Sequence, residues 1–326
     1  MTKNIVIVGA GSIGSRHLQA LKKVNYSINI YVLDKSSFSL ETAKNRYNEV
    51  KKNKSIKSIN FYKKLLDLPK DIYLLINATT ASVRYATTKS VLDVCNVKYI
   101  IFEKFLFLQV AEYNKMDKLL KNKKIKAWTN CNYQVIPFFK KNKYFNSGKL
   151  TMFIHGGNWA FASSAIHFIE LFCHLTKKKI SKMKFDLKNE RILPSKRNKY
   201  YEFGGLLTAE TQNGDTLLIE SKKESEKPLY IDLSNNDVLF RLEVSKRTAH
   251  MTNFSKQSKF TKKFQIKFPF QSELTNIYLK DIINKGDCGL PKYEDSSLNH
   301  KRLIQLFSRE ILRDNRYKSI SDIQFT

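Results

Sequence analysis

The chain has 326 residues, 42% hydrophobic and 12% aromatic, enough for extensive buried packing and long enough that two domains are expected. Its eleven glycines and six prolines exclude collagen-like and low-complexity classes. The net charge of +29 would suit a polyanion, but the lysines scatter from Lys22 to Lys318 without any nucleic-acid-binding pattern. We therefore expect a lysine-rich solvated surface and no specific nucleic-acid partner.

In chain order, "NIVIV" (4–8), "INIYVL" (28–33), "SINF" (58–61), "IYLLIN" (72–77) and "KYIIF" (98–102) read as strands, with "KIKAWTN" (124–130) as a sixth. Helical stretches lie between them near 12–24, 37–50, 82–94 and 109–122. Near-continuous apolar strands alternating with helices imply a parallel sheet covered on both faces, a doubly wound α/β domain over 1–130.

After residue 130 the rhythm changes. A helix is expected around "YQVIPFFKKNKYF", a strand over 149–156, a buried helix over 163–175, then strands over 180–187, 200–209, 215–221, 228–233 and 237–244. Helices near 271–285 and 297–313 close the chain. This is an α+β domain over 131–326 with a large open, mostly antiparallel sheet.

Cys95, Cys131, Cys173 and Cys288 are widely spaced and form no C-x-x-C, as in a protein of the reducing cytoplasm. No apolar run approaches the ~20 residues of a membrane span, and no signal peptide precedes the first strand. A cytoplasmic protein without a membrane partner is expected.

The most specific feature is Gly9-Ala10-Gly11-Ser12-Ile13-Gly14, a full G-x-G-x-x-G between a strand and a helix. The first glycine allows a tight turn, the second lets a pyrophosphate approach the backbone, and the third brings helix against strand. The helix N-terminus then offers N–H groups to phosphate. Asp34 ends the second strand, at the offset of about 20 residues where a carboxylate takes the adenine ribose hydroxyls. NAD is the expected cofactor. Lys35, Ser36 and Ser37 follow at once, which leaves NADP possible.

Ligands of such sheets bind beyond the carboxyl ends of the strands. There "NATTASVRY" (77–85) places Thr79 and Thr80 beside the cofactor, and "FEKF" (102–105) places Glu103 and Lys104 at the rim. On spacing alone, Glu103 and Lys104 read equally as a solvated turn or as a functional pair whose lysine points at a substrate oxygen. On the 163–175 helix, His167, Glu170 and His174 form one polar stripe, facing either solvent or a cleft. His167, in the expected first turn, would be held neutral by the helix end, as a general base requires. No third ligand accompanies His167 and His174, so no metal is expected. Asn132, Tyr133 and Trp159 are candidate substrate contacts; aromatic residues there are as often core.

Taken together, "GAGSIGSRH", "INATTASVRY", "IIFEKF", "TNCNYQVIP" and "SSAIHFIEL" resemble the Gfo/Idh/MocA oxidoreductases over nearly the whole chain, most strongly in the first 105 residues. The family's E-K-P signature falls on Glu103-Lys104, with Phe105 replacing proline, and implies Lys104 as the catalytic lysine. Its D-x-G-x-H-x-x-D helix falls on Ser163, Ala165, His167 and Glu170, implying His167 as a second catalytic group and Ser163 in the substrate site. The family's arginine before the proline is Gln134 here, ahead of Pro137. The resemblance implies a hydride transfer between nicotinamide and a sugar, sugar nucleotide or related polyol. It also implies a homo-oligomer, dimer or tetramer, built through the open sheet.

Overall fold

The computed structural model describes residues 2–141, 143–188, 190, 192–195, 200–222, 225–256 and 258–313. It divides into two compact units. Met1–Asn130 with Pro269–Ser297 form the first, and Cys131–Phe268 with Leu298–Thr326 the second. The chain thus changes unit at Asn130 and returns at Pro269, so part of the later half completes the dinucleotide-type unit.

The first unit runs β1 (Lys3–Val8), α1 (Ser12–Leu21), β2 (Ile28–Leu33), α2 (Ser37–Asn48), β3 (Ile56–Tyr62), β4 (Asp71–Asn77), α3 (Ala81–Val94), β5 (Asn96–Phe102), α4 (Val110–Asn122) and β6 (Lys126–Thr129). All six strands are parallel, in the order β3-β2-β1-β4-β5-β6. Ile5, Val6, Ile7, Leu74, Leu75, Ile76, Ile100 and Ile101 are fully buried, which is why these strands carry apolar runs rather than alternation. Strand order reverses at β1/β4, so the loops after β1 and β4 border one crevice at the carboxyl edge. The free edge of β6 is covered by the returning segment: Thr129 N donates to Pro291 O at 3.0 Å, and Trp128 bridges Lys292.

The second unit contributes α5 (Pro137–Lys141), β7 (Thr151–Gly157), α6 (Phe161–Thr176), β8 (Ile180–Asp186), β9 (Leu193–Pro194), β10 (Tyr201–Glu202), β11 (Gly205–Thr211), β12 (Thr216–Lys222), β13 (Tyr230–Ser234), β14 (Val238–Glu243), β15 (Thr248–Asn253) and β16 (Phe260–Gln265). Its eight-stranded sheet has the order β16-β15-β14-β13-β7-β12-β11-β8, antiparallel except for the β7/β12 pair. α6 is apolar nearly all round, with Phe161, Ala165, Ile166, Phe168, Ile169 and Phe172 buried. Two closing helices follow, α7 (Thr275–Lys285) in the first unit and α8 (Tyr293–Ile311), along which the unit boundary falls at Ser297/Leu298.

Several expectations need correction. The helix expected around 133–145 reduces to a 3-10 turn, Asn132–Val135, and the five residues of α5, because Pro137 can only begin a helix. The strand expected over 200–209 splits around Phe203–Gly204, just before Gly205 at φ +127. β15 and β16 went unrecognised. They carry Thr248, His250, Thr252, Lys262 and Lys263 at exposed or half-exposed positions, and an edge strand is kept from pairing further by such polar side chains. α6 starts at Phe161, which moves His167 from the first turn to the second and weakens the helix-dipole argument made for it.

Candidate active site

Each fingerprint glycine meets a different constraint. Gly9 has φ +92, and a Cβ there would lie 2.8 Å from the Ala78 carbonyl carbon and from the Thr79 nitrogen. A Cβ on Gly14 would lie 1.8 Å from the Gly9 oxygen. These two glycines serve the protein's own packing. Gly11 is exposed, and nothing lies within 4 Å of where its Cβ would be. It is also the N-cap of α1, with no side-chain cap and no acidic residue in the first turn. The early amides of α1, at Ser12, Ile13 and Gly14, are therefore left to an external acceptor beside a bare Cα, the arrangement a pyrophosphate requires.

Asp34 is half-buried at the same edge. Its Oδ2 accepts from Ala10 N at 2.7 Å and its Oδ1 from Ser36 N at 2.8 Å, which ties the end of β2 to the glycine loop. The Ser36 hydroxyl caps α2 by accepting from Ser39 N, so it is already engaged. After β4, Asn77 Oδ1 accepts from both Thr79 N at 3.1 Å and Thr79 Oγ1 at 2.6 Å. Thr80 is the N-cap of α3, its hydroxyl 3.2 Å from that of Ser82. Arg84, buried, donates to the carbonyls of Leu106 and Thr79 and so fixes the loops after β4 and β5 to each other.

Glu103 and Lys104 are not a solvated turn. Glu103 is buried and Lys104 half-buried, and Phe105, Leu106 and Phe107 enter the core. The Lys104–Phe105 peptide bond is cis. Glu103 Oε1 accepts from His17 Nε2 at 2.9 Å and from Asn130 Nδ2. Burial alone would raise the Glu103 carboxyl. The His17 and Asn130 donors, with Arg84 nearby, outweigh it and hold the group below its ordinary value.

The remaining candidates belong to the second unit. The His167 ring lies 5.8 Å from that of Tyr133, and Tyr133 and Trp159 both set an edge against Phe168, at 5.1 and 5.6 Å. Burial pushes the Tyr133 phenol up to about 12, so it stays protonated at neutral pH. Trp159 Nε1 donates to Glu220 O, and half-buried Asn132 opens the 3-10 turn that carries Tyr133. Ser163 Oγ donates back to Ala160 O at 3.4 Å, and a Glu202 oxygen accepts from Ala162 N at 3.0 Å, setting a carboxylate at the start of α6.

Two residues of the polar stripe on α6, Glu170 and His174, face protein. Buried Glu170 accepts from Asn299 of α8, and His174 Nε2 contacts Phe139 O of α5. Among the described residues no group of three His, Cys, Asp or Glu could hold a metal, and no helix is long and apolar enough to cross a membrane.

Residues 3–131 match the family model described as the GFO_IDH_MocA oxidoreductase family, NAD-binding Rossmann fold. Over those residues the first unit is similar to the NAD-binding Rossmann fold of that oxidoreductase family. The matched residues include the glycine loop, Asp34, Thr79, Thr80, Glu103 and Lys104, so the cofactor-side candidates all lie within the family's NAD-binding fold.

Among solved structures, an oxidoreductase from Agrobacterium radiobacter in complex with NAD+, L-tartaric acid and magnesium superposes with a TM-score of 0.72 at 13% identity, over 98% of both chains. UDP-N-acetylglucosamine 3-dehydrogenase from Acidithiobacillus ferrooxidans gives 0.66 at 11% identity, over 94% of this chain and 95% of that one. The transcriptional regulator Gal80p from Kluyveromyces lactis gives 0.72 at 14%, over 98% and 94%. At such identities the likeness establishes the two-part fold. No curated protein matches the sequence. The family model matched by residues 3–131 is described as NAD-binding, and one structural neighbour is in complex with NAD+.

Sequence reasoning missed His17, Asn77, Arg84, Asn130, Gln271 and Thr275, the groups that fix these loops. His17 and Arg84 lie inside the stretches singled out for glycines and threonines, where a polar residue on a buried helix face was the available signal. Gln271 and Thr275 had none, because their role depends on the chain returning to the first unit.

Proposed function

We propose that the chain is an NAD-dependent oxidoreductase that acts on a CH–OH group of a sugar, sugar nucleotide or related polyol. The observation that carries this reading is the bare Gly11 at an uncapped helix N-terminus on the same carboxyl edge as Lys104. Bound NAD supplies the hydride acceptor. The α1 amides hold the pyrophosphate, and Asp34 accepts from the adenine ribose hydroxyls while repelling a 2′-phosphate. NAD is accordingly preferred to NADP.

Lys104 donates a hydrogen bond to the reacting oxygen and stabilises its alkoxide character. In the oxidative direction His167 takes the hydroxyl proton as general base. Tyr133, Trp159, Asn132 and Ser163 form the substrate side, the aromatic faces suiting a sugar ring. The family match supports NAD-dependent redox chemistry, and the sugar-nucleotide dehydrogenase among the neighbours supports the substrate class. A homo-oligomer in the cytoplasm, without nucleic-acid or membrane partner, completes the proposal.

A second reading is a cofactor-binding sensor without turnover. Phe105, Gln134 and Ser163 stand where the family carries proline, arginine and aspartate, and Gal80p, a regulator, shares the fold. One experiment separates the two. Sugars and sugar nucleotides are screened with NAD and NADP by the absorbance of reduced nicotinamide, and Lys104→Met is then tested on any active substrate. Loss of turnover by about a hundred- to a thousandfold, the scale of a removed electrostatic donor, supports the enzyme. Turnover unchanged in Lys104→Met refutes the assignment of that lysine.

A further inference from the structure

Four side chains close a buried polar ring next to Lys104, all within the first unit. His17 Nε2 donates to Glu103 Oε1, which also accepts from Asn130 Nδ2. The second Asn130 N–H goes to Gln271 Oε1 at 2.8 Å. Gln271 Nε2 in turn donates to His17 Nδ1 at 3.2 Å and to Thr275 Oγ1 at 3.2 Å, and Thr275 Oγ1 lies 2.8 Å from His17 Nδ1.

The hydrogen directions in this ring are not free. An ionised carboxylate only accepts, so both groups facing Glu103 must donate. Asn130 therefore presents its NH2, which turns the carbonyl of Gln271 toward it and the NH2 of Gln271 toward Nδ1. The proton of His17 accordingly sits on Nε2. His17 is fully buried, Glu103 is 7% and Asn130 4% exposed, and Gln271 closes the ring from a half-buried position.

The ring joins four separate parts of the chain: α1, which carries the glycine loop; the end of β5, one residue before Lys104; the last residue before the chain leaves the unit; and the segment that re-enters at Pro269. We propose that His17 is a positioning residue that acts through Glu103 to hold the Lys104 backbone in fixed register with the helix offering its N-terminus to the pyrophosphate. This rests on the reading of Lys104 as the group that meets the reacting oxygen. The ring does not touch the substrate; it removes the freedom of the segment from which Lys104 projects.

The test uses the whole purified chain without substrate. Lysines are acetylated with an N-hydroxysuccinimide ester across a range of pH, and the rate at Lys104 is read by peptide mass spectrometry against the other lysines. His17→Phe keeps the size but removes both ring nitrogens. His17→Gln restores an N–H donor toward Glu103. We expect Lys104 acetylation to rise about tenfold in His17→Phe, within the range that loss of fixed geometry commands, with its pH profile displaced. In His17→Gln both should return toward the starting values, and NAD affinity measured by calorimetry should stay within about threefold in either variant.

An unchanged Lys104 rate and pH profile in folded His17→Phe would overturn the proposal, as would a rise shared by all lysines. Should His17→Phe fail to fold, Gln271→Leu breaks the ring from its opposite side and is judged by the same criteria. Failure of the functional reading is distinct. It shows as absent NAD binding or a turnover indifferent to Lys104→Met, and leaves the acetylation result standing.

Discussion

Gly11 and Gly14 are three residues apart at the start of α1, yet alanine should act on them in different ways. At Gly11 the added methyl meets nothing within 4 Å, and the backbone is at φ −64, a conformation open to any residue. A small loss of N-cap preference and a small gain from the stiffer unfolded chain offset each other to within about 0.5 kcal/mol. The methyl does occupy the face left bare for the pyrophosphate. Forcing a group into a close contact costs about 2 kcal/mol, which is about thirtyfold in affinity.

At Gly14 the methyl would come within 1.8 Å of a backbone oxygen, so the loop or the helix must shift. That costs about 3 kcal/mol, or a fall in Tm of about 10 °C. Calorimetric titration with NAD+ and NADH, paired with thermal melts, reads both effects. Gly11→Ala that binds coenzyme as tightly as the unaltered chain would refute the placement of the pyrophosphate. Gly14→Ala with an unaltered melt would refute the packing argument.

Asp34→Ser should weaken NAD binding about tenfold and bring NADP to comparable affinity, checked by the ratio of the two dissociation constants. An unchanged ratio would remove Asp34 from the ribose site. Asn130→Ala takes one donor from the buried Glu103 carboxylate and should cost about 2 kcal/mol at neutral pH. Because the folded Glu103 value lies below 4.5, its contribution is present above that pH and is lost as pH falls below it. With Asn130 gone the folded value rises, so acid unfolding should begin at higher pH in denaturant titrations.

His174 is lowered from 6.5, first by burial and also by Lys177, against the opposing pull of the Phe139 carbonyl. The unfolded chain therefore takes up the proton first as pH falls. Stability from this group is full above about 6.5 and lost below it. His174→Leu should flatten the dependence of Tm on pH between about pH 7 and pH 5, and an unaltered slope would place that dependence elsewhere.

The first unit was legible because its strands are buried on both faces and its turn chemistry is confined to a few residues. β1, Gly9, Gly11, Gly14 and Asp34 announce their geometry within one short stretch. The second unit's edge was not, since β15 and β16 share their polar composition with loops and gain order only from their neighbours in the sheet. His167 was found as a polar residue on an apolar helix, but Glu170 and His174 belonged to packing against α8 and α5, which no local pattern contains. The ring around Glu103 draws on residues up to 258 positions apart, beyond the reach of any local motif.

The central claim is tested most directly by a crystal structure of the chain grown with NAD+. The account predicts a dinucleotide whose pyrophosphate rests on the Gly11 face of α1, whose adenine ribose meets Asp34, and whose nicotinamide ring lies beside Lys104. A dinucleotide bound elsewhere, or none in crystals grown at saturating coenzyme, would contradict it.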